Sequence, residues 1–449
     1  MNNLIKNAKS FILSVSFLSL MSRSLFAISQ FLATFFAIAF FSNEQQAMYF
    51  LFLSILSIQT IFELGISQVI VILISRSHNF TNGRQYLIQS DTSDIIFFGF
   101  SKFKNISIAY FVMAMLLAFG TIYLNQETPN FIIWFAPWAL LLSIYTLRLF
   151  LILLESIVEG FGRIADVLIV RSIYYSVFIV AFGIASYTGL QLWSLAVAWA
   201  SAILTGFLLN SMRHSELLRL SWDTIKAAGE NSASARSYEV TASRFHGKVS
   251  VTWVASYAIS SLPLLIAYTI ASDGVVTSLG VASQISAIIG VIAAAISSPH
   301  ISAASNRHSK GDSIGFIRQF KRTLGRTLVA TILTAVACFS LPIILRYQFY
   351  DRWPESIPSS TELLPFLASA LIYSYMACVG QFFRSTQREV FNFPLVASAV
   401  VTVGGMAVAA STGSLLLLGI AQLIGPVLII LPVTLIKHHQ LISQKDQQQ

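Results

Sequence analysis

The chain has 449 residues, of which 55% are hydrophobic and only 10% charged, with a mean hydropathy of +0.73. That balance excludes an ordinary water-soluble globular chain and marks a polytopic membrane protein. The net charge of +9 does not point to nucleic acid: most Lys and Arg residues fall in alternate loops and tails, the positive-inside pattern that makes that side cytoplasmic.

Lys6 and Lys9 precede an apolar run that restarts after Arg23 and continues to Phe41 with no small-residue cleavage site, so it reads as an uncleaved first helix. Twelve apolar spans are predicted in all, over residues 15–41, 47–75, 105–125, 131–160, 165–187, 192–210, 249–271, 277–300, 326–346, 362–383, 392–411 and 414–435. Each approaches or exceeds the roughly 20 residues needed to cross a bilayer. An all-α fold with about twelve transmembrane helices and both termini cytoplasmic is the expectation. The hydrophilic stretch 211–248, carrying Arg213, Arg219, Lys226, Arg236, Arg244 and Lys248, divides it into a six-helix bundle (1–210) and a second one (249–436), followed by a cytoplasmic tail (437–449). Basic residues beside a membrane are the ordinary means of fixing topology. With both halves starting inside, any repeat is a parallel one, with a central site between the halves.

In the eighth span Ala282, Ser286, Gly290 and Ala294 recur every four positions, a ladder that permits close helix approach. Cys338 and Cys378 lie inside apolar segments, where a thiol packs as a small hydrophobe.

Six charged residues interrupt the spans: Arg23, Glu63, Arg148, Glu155, Glu159 and Arg171. A charge at the centre of a membrane helix costs roughly 2.5 to 3.5 kcal/mol, so each needs a partner or a wet cavity. In the fourth span Arg148, Glu155 and Glu159 are spaced by seven and four residues and share one helix face, with Arg163 four residues further on. Arg171 follows a tight turn at 160–162 and comes within reach of Glu155, so these groups read either as a self-neutralising hairpin or as a site. Arg23 lies near the inner end of the first span with Gln30 on its face; it either snorkels to the interface or grips a phosphate. Glu63 sits nearer mid-membrane with Thr60 and Ser67 on its face, as a protonated, paired or ion-coupling carboxyl.

The His residues are scattered, which speaks against a metal site, and no Gly-Lys-Ser/Thr phosphate loop points to internal ATP use. Asn79-Phe80-Thr81 fits the glycosylation pattern but falls in a cytoplasmic loop.

Ser22-Arg23-Ser24-Leu25 opening the first helix, the turn Asn43-Glu44-Gln45-Gln46, Phe62-Glu63-Leu64-Gly65-Ile66 in the second span and Glu-Ser-Ile-Val-Glu-Gly-Phe-Gly-Arg over 155–163 together resemble the polysaccharide flippases of the Wzx type. These belong to a larger superfamily that also holds multidrug exporters and the lipid II flippase. The resemblance covers the whole chain in span count, loop lengths and the six-plus-six division. It implies two bundles around a central cavity, alternating access and no enzymatic step. The implied cargo is an O-antigen or capsule-like oligosaccharide repeat unit on undecaprenyl diphosphate in a bacterial inner membrane. The implied partners are this lipid-linked oligosaccharide, membrane lipids, a glycan polymerase and chain-length proteins, with no nucleic acid.

By position, Arg23, Arg148 and Arg171 are the candidates for the diphosphate. Glu63, Gln30, Glu155 and Glu159 are the cavity candidates; no cofactor is implied beyond coupling to a proton or sodium gradient, for which Glu63 is the best placed. Carbohydrate selectivity falls to dispersed groups such as Gln30, Tyr145 and Tyr174. The chain departs from the family where Leu262-Pro263-Leu264-Leu265 stands in place of a common acidic residue, and at Ala47-Met48-Tyr49, where a glycine is frequent. The alternatives are a cation-coupled multidrug exporter of the same superfamily and, in a different class, a membrane glycan polymerase or acyltransferase. The last two would carry a polar external catalytic loop or a His-Asp/Glu constellation, which the sequence does not display.

Overall fold

The computed structural model describes residues 15–63, 66–77, 90–124, 131–227, 250–300, 311–348, 357–386 and 388–443, together with 304, 307 and 308. Lys6, Lys9, the 64–65 dipeptide, the Asn79 sequon, the turn at 125–130, linker residues 228–249 and the tail beyond 443 lie outside them. Among the described residues every regular element is helical, and twelve helices are long and apolar enough to cross a membrane. They are α1 (Phe17–Phe40), α2 (Asn43–Glu63), α3 (Thr92–Leu124), α4 (Trp134–Gly160), α5 (Ile164–Tyr187), α6 (Trp193–Arg213), α7 (Ser250–Ile270), α8 (Asp273–Ser297), α9 (Ser313–Ile344), α10 (Ser360–Ser385), α11 (Asn392–Ala410) and α12 (Leu415–Ser443).

The count agrees with the hydropathy pattern, while several ends do not. Helix α3 starts at Thr92 rather than at 105, α9 at Ser313 rather than at 326, and α12 runs on to Ser443. The added turns carry Lys102 and Lys104, or Arg318, Lys321 and Arg322, or Lys437. Charge there ends the apolar pattern, but the backbone hydrogen-bond ladder continues past the apolar segment. The second span, expected as one helix over 47–75, is interrupted by a turn at Ser57 and Ile58, and the described residues are helical again over Gln59–Glu63 and Ile66–Ser77. Helix α7 is interrupted likewise at Ser261, just before Pro263, whose missing N–H and fixed φ suit the first turn of a new helical segment.

The chain forms two compact units, one holding Ile55–Tyr123 and Thr128–Trp253, the other Ser19–Ser54 and Val254–Gln449. The units therefore cut across the 1–210 boundary drawn from the loops, because nearly all of α1 and the first part of α2 pack with the later helices. In the first unit, glycines let helices approach: Gly160 faces Ile74, and Gly206 of α6 faces Leu151 of α4. Helix α4 ends in a left-handed residue, Gly162 (φ 80°), with the Gly162 N–H bonded to Glu159 O at 2.9 Å and the Arg163 N–H to Val158 O at 3.2 Å. This double bond pattern satisfies the last carbonyls of α4 and turns the chain directly into α5. In the second unit, Phe316, Phe320, Phe382, Phe383 and Phe391 build a core with Cys378 and Val379, and both cysteines are buried free thiols. Helix α10 begins with a reciprocal cap in which the Ser359 N–H donates to Glu362 Oε2 at 2.8 Å and the Glu362 N–H to Ser359 Oγ at 3.4 Å.

The small-residue ladder of α8 is not its packed face. Of the four ladder residues only Ala282 is buried, alongside Leu279, Val281, Ile285, Ile289 and Ala293 among others, whereas Gly290 has open space around it. The close approach is instead at Gly280, where an added Cβ would lie 2.3 Å from Phe50 Cγ of α2.

Candidate substrate site

The first unit holds the interior charges of α2, α4 and α5, and their geometry separates two groups. The turn through Gly162 folds α5 back along α4, placing Arg171 Nε 2.8 Å from Glu155 Oε2. Glu155 is 1% exposed and Arg171 29%, so the pair sits largely out of water. Both groups are then held by mutual neutralisation, as the ion-paired hairpin reading expects. The second carboxylate oxygen, Oε1, is buried and accepts no hydrogen bond. Glu159, one turn further on, is half-buried and within electrostatic reach of Arg171. Towards the end of the unit Arg213 of α6 pairs with Asp166 of α5 at 3.7 Å.

Arg148 lies on the same face of α4 but does not join the carboxylates as the self-neutralising cluster requires. Its guanidinium carbon stands 5.1 Å from the Tyr145 ring centre and 4.8 Å from that of Trp199 in α6. Nη1 donates a long hydrogen bond, 3.5 Å, to Gln59 Oε1 of α2. No ion pair to Arg148 is formed among the described residues. The physical reason is geometric: Glu155 is seven residues along α4, about 10 Å by the helix rise, and is already engaged by Arg171. A cation over the faces of Trp and Tyr is stabilised by the ring quadrupoles, by roughly 0.5 to 2 kcal/mol, without losing its charge. Tyr145 and Trp199 are themselves packed edge to face at 5.0 Å, and Phe178 supports Trp199 from 4.6 Å. Tyr174 and Tyr175, both buried, extend this aromatic lining from α5.

Glu63 Oε1 accepts a hydrogen bond from Ser67 Oγ at 2.5 Å, as their shared face predicts. Thr60 instead bonds the Ser57 carbonyl. Glu63 also lies within electrostatic reach of Arg148. The first unit therefore holds two groups, Glu155 and Arg171 with Glu159 nearby, and Arg148 with Glu63 in electrostatic reach. Arg23 and Gln30 belong to the other unit. Arg23 is half-buried and engaged by neighbouring groups, and the buried Gln30 Nε2 makes no hydrogen bond.

Two side chains that contact Arg148 are absent from the sequence reading: Gln59 and Trp199. Gln59 was legible as a polar residue four positions before Glu63, on the same helix face. Trp199 offers no comparable signal, since its role comes from the packing of α6 on α4. Among the described residues no group of three or more His, Cys, Asp or Glu is placed to hold a metal ion.

No family model matches the chain, and none of the curated proteins matches it. Solved structures do share its fold. An inward-facing multidrug resistance transporter of the MATE family, in the MOP superfamily, superposes with a TM-score of 0.70 at 13% identity, over 95% of this chain and 99% of that one. The lipid II flippase MurJ in an inward closed conformation gives 0.66 at 14% identity, over 95% and 87%. A eukaryotic MATE transporter gives 0.65 at 12% identity, over 97% and 99%. At these identities the likeness establishes the fold.

Proposed function

We propose that this chain is a membrane flippase that carries an oligosaccharide repeat unit on undecaprenyl diphosphate across a bacterial inner membrane by alternating access, without catalysing a chemical step. The observation that carries this reading is Arg148: an interior guanidinium on an aromatic shelf, with an amide rather than a carboxylate as its hydrogen-bond partner. A guanidinium held this way keeps its N–H donors and its charge for a phosphate, which it can grip bidentately. A diphosphate crossing hydrocarbon unpaired meets a very large desolvation cost, and a cation inside the protein offsets it while the prenyl chain stays in lipid. The flippase MurJ shares the fold, which is consistent with a lipid-linked cargo.

Of the three arginines, Arg148 is the principal phosphate contact in this reading and Arg171 braces α4 to α5 through Glu155; Arg23, in the other unit, stays a separate phosphate candidate. Glu63 is the proposed coupling group for a proton or sodium gradient, and glycan polymerase and chain-length proteins are the proposed neighbours in the membrane.

The reading is tested in cells lacking the protein, where lipid-linked repeat units should accumulate on the cytoplasmic leaflet. Wild type should relieve the accumulation and Arg148→Gln, expressed at equal level, should not. Unchanged surface glycan with no accumulation would refute it.

A second reading, a cation-coupled multidrug exporter, is equally compatible with the fold, since MATE transporters share it. What favours it is Glu63, a carboxylate whose hydrogen-bond partner is a hydroxyl rather than a cation. It predicts that deletion raises sensitivity to cationic drugs and that Glu63→Gln, rather than Arg148→Gln, fails to restore resistance.

A further inference from the structure

We infer that Gln59 is a positioning residue that links anion occupancy at Arg148 to the break in α2. The inference rests on the phosphate reading of Arg148 given above.

The two parts of α2 are fastened in different units. In the outer part, Ser54 Oγ donates to the Ser261 carbonyl at 2.9 Å, the Tyr257 hydroxyl donates to the Ser54 carbonyl at 3.5 Å, and Phe50 packs against Gly280. All of these groups lie in the unit that ends, within α2, at Ser54. From Ile55 onward the chain belongs to the other unit, where the Tyr110 hydroxyl donates to the Leu56 carbonyl at 3.4 Å and its ring meets Phe62 edge-on at 6.0 Å.

Between these anchorages the hydrogen bonding tightens from four-residue to three-residue spacing. The Ile58 N–H bonds Ile55 O at 3.1 Å, Thr60 N–H bonds Ser57 O at 3.0 Å, and Ile61 N–H bonds Ile58 O at 2.8 Å. No proline or glycine falls at this point to account for the break. Mid-helix tightening of this kind commonly marks a hinge.

Gln59 is the first helical residue after the break, and it is 4% exposed. Its carbonyl oxygen satisfies one Arg148 N–H without cancelling the charge, which a carboxylate in its place would do. The bond is long at 3.5 Å, so it is the first to give when an anion draws the guanidinium N–H groups to itself. The buried acceptor of Gln59 then has to find another donor, because a buried polar atom left unpaired is destabilising. The segment that carries it begins directly at the break.

The test uses the full chain in lipid nanodiscs and inorganic pyrophosphate as the probe, with binding read by calorimetry and backbone amide exchange at residues 58–63 read by mass spectrometry. Wild type should bind pyrophosphate and change its exchange at 58–63. Arg148→Gln should lose both. Gln59→Leu should keep affinity within about threefold yet lose the exchange response, while Gln59→Glu should weaken binding about tenfold or more by neutralising Arg148. A Gln59→Leu protein that retains the exchange response, or a Gln59→Glu protein that binds as wild type does, overturns the coupling while leaving the phosphate reading standing. Wild type that does not bind pyrophosphate overturns the phosphate reading, and the coupling with it.

Discussion

Glu155 and Arg171 show how an interior charge is tolerated: each is the other's solvent. Removing one partner strands the other, so Glu155→Ala should lower stability by about 3 to 5 kcal/mol, the range for breaking a buried pair. Glu155→Leu combined with Arg171→Met should recover much of that loss, since a packed apolar pair needs no counter-ion. Thermal unfolding in detergent across the double-mutant cycle measures this directly, and additive losses would contradict the pairing. His214, at the end of α6, carries a pH dependence. Burial holds its imidazole below the ordinary range, Arg163 and Arg213 lower it further, and Asp166 opposes them. The folded state therefore binds fewer protons at this site than the unfolded chain does, so stability should fall as the pH drops through and below about 6.5. His214→Gln should flatten that part of the unfolding curve. The residue scale is also where sequence reading stopped short. The Glu155–Arg171 pair was legible from a spacing of seven and four and a tight turn, because local helix geometry carries it. The partners of Arg148 come from α2 and α6, and only tertiary packing brings them to it.

Among the elements, α8 separates what a pattern suggests from what packing uses. Ala282, Ser286, Gly290 and Ala294 form a periodic stripe, yet the tight contact falls at Gly280 against Phe50. Gly280→Ala should therefore destabilise by about 1 to 3 kcal/mol through overpacking. Gly290→Ala, with open space at its Cβ, should be neutral or stabilising by up to about 1 kcal/mol through helix propensity. Equal effects of the two substitutions on the unfolding midpoint would contradict this packing. Helix number was readable because twelve long apolar stretches leave little alternative. The breaks at Ser57 and Ser261 were not, since the first has no proline or glycine to announce it and hydropathy is blind to hydrogen-bond register. The charged extensions of α3, α9 and α12 escaped for a related reason: apolarity reports where lipid is, and the helix continues beyond it.

At the scale of the whole molecule, the twelve helices fall into two compact units whose main boundaries run through α2, at Ser54 and Ile55, and through α7, at Trp253 and Val254, rather than through the hydrophilic linker. Loop lengths and charge reveal the linker; they contain no information about which helices an early helix packs against. The fold shared with MATE transporters and with MurJ does not select a substrate, so the proposed function rests on Arg148, which lies against Tyr145 and Trp199 and forms no ion pair among the described residues. The measurement that tests this most directly is transbilayer movement of a fluorescent, glycosylated polyprenyl diphosphate in proteoliposomes, followed by dithionite quenching from outside. Wild-type vesicles should make the inner-leaflet pool accessible, and Arg148→Gln vesicles of equal protein content should leave it protected. An inner-leaflet pool that stays protected with wild type, or becomes equally accessible with Arg148→Gln, would contradict the account.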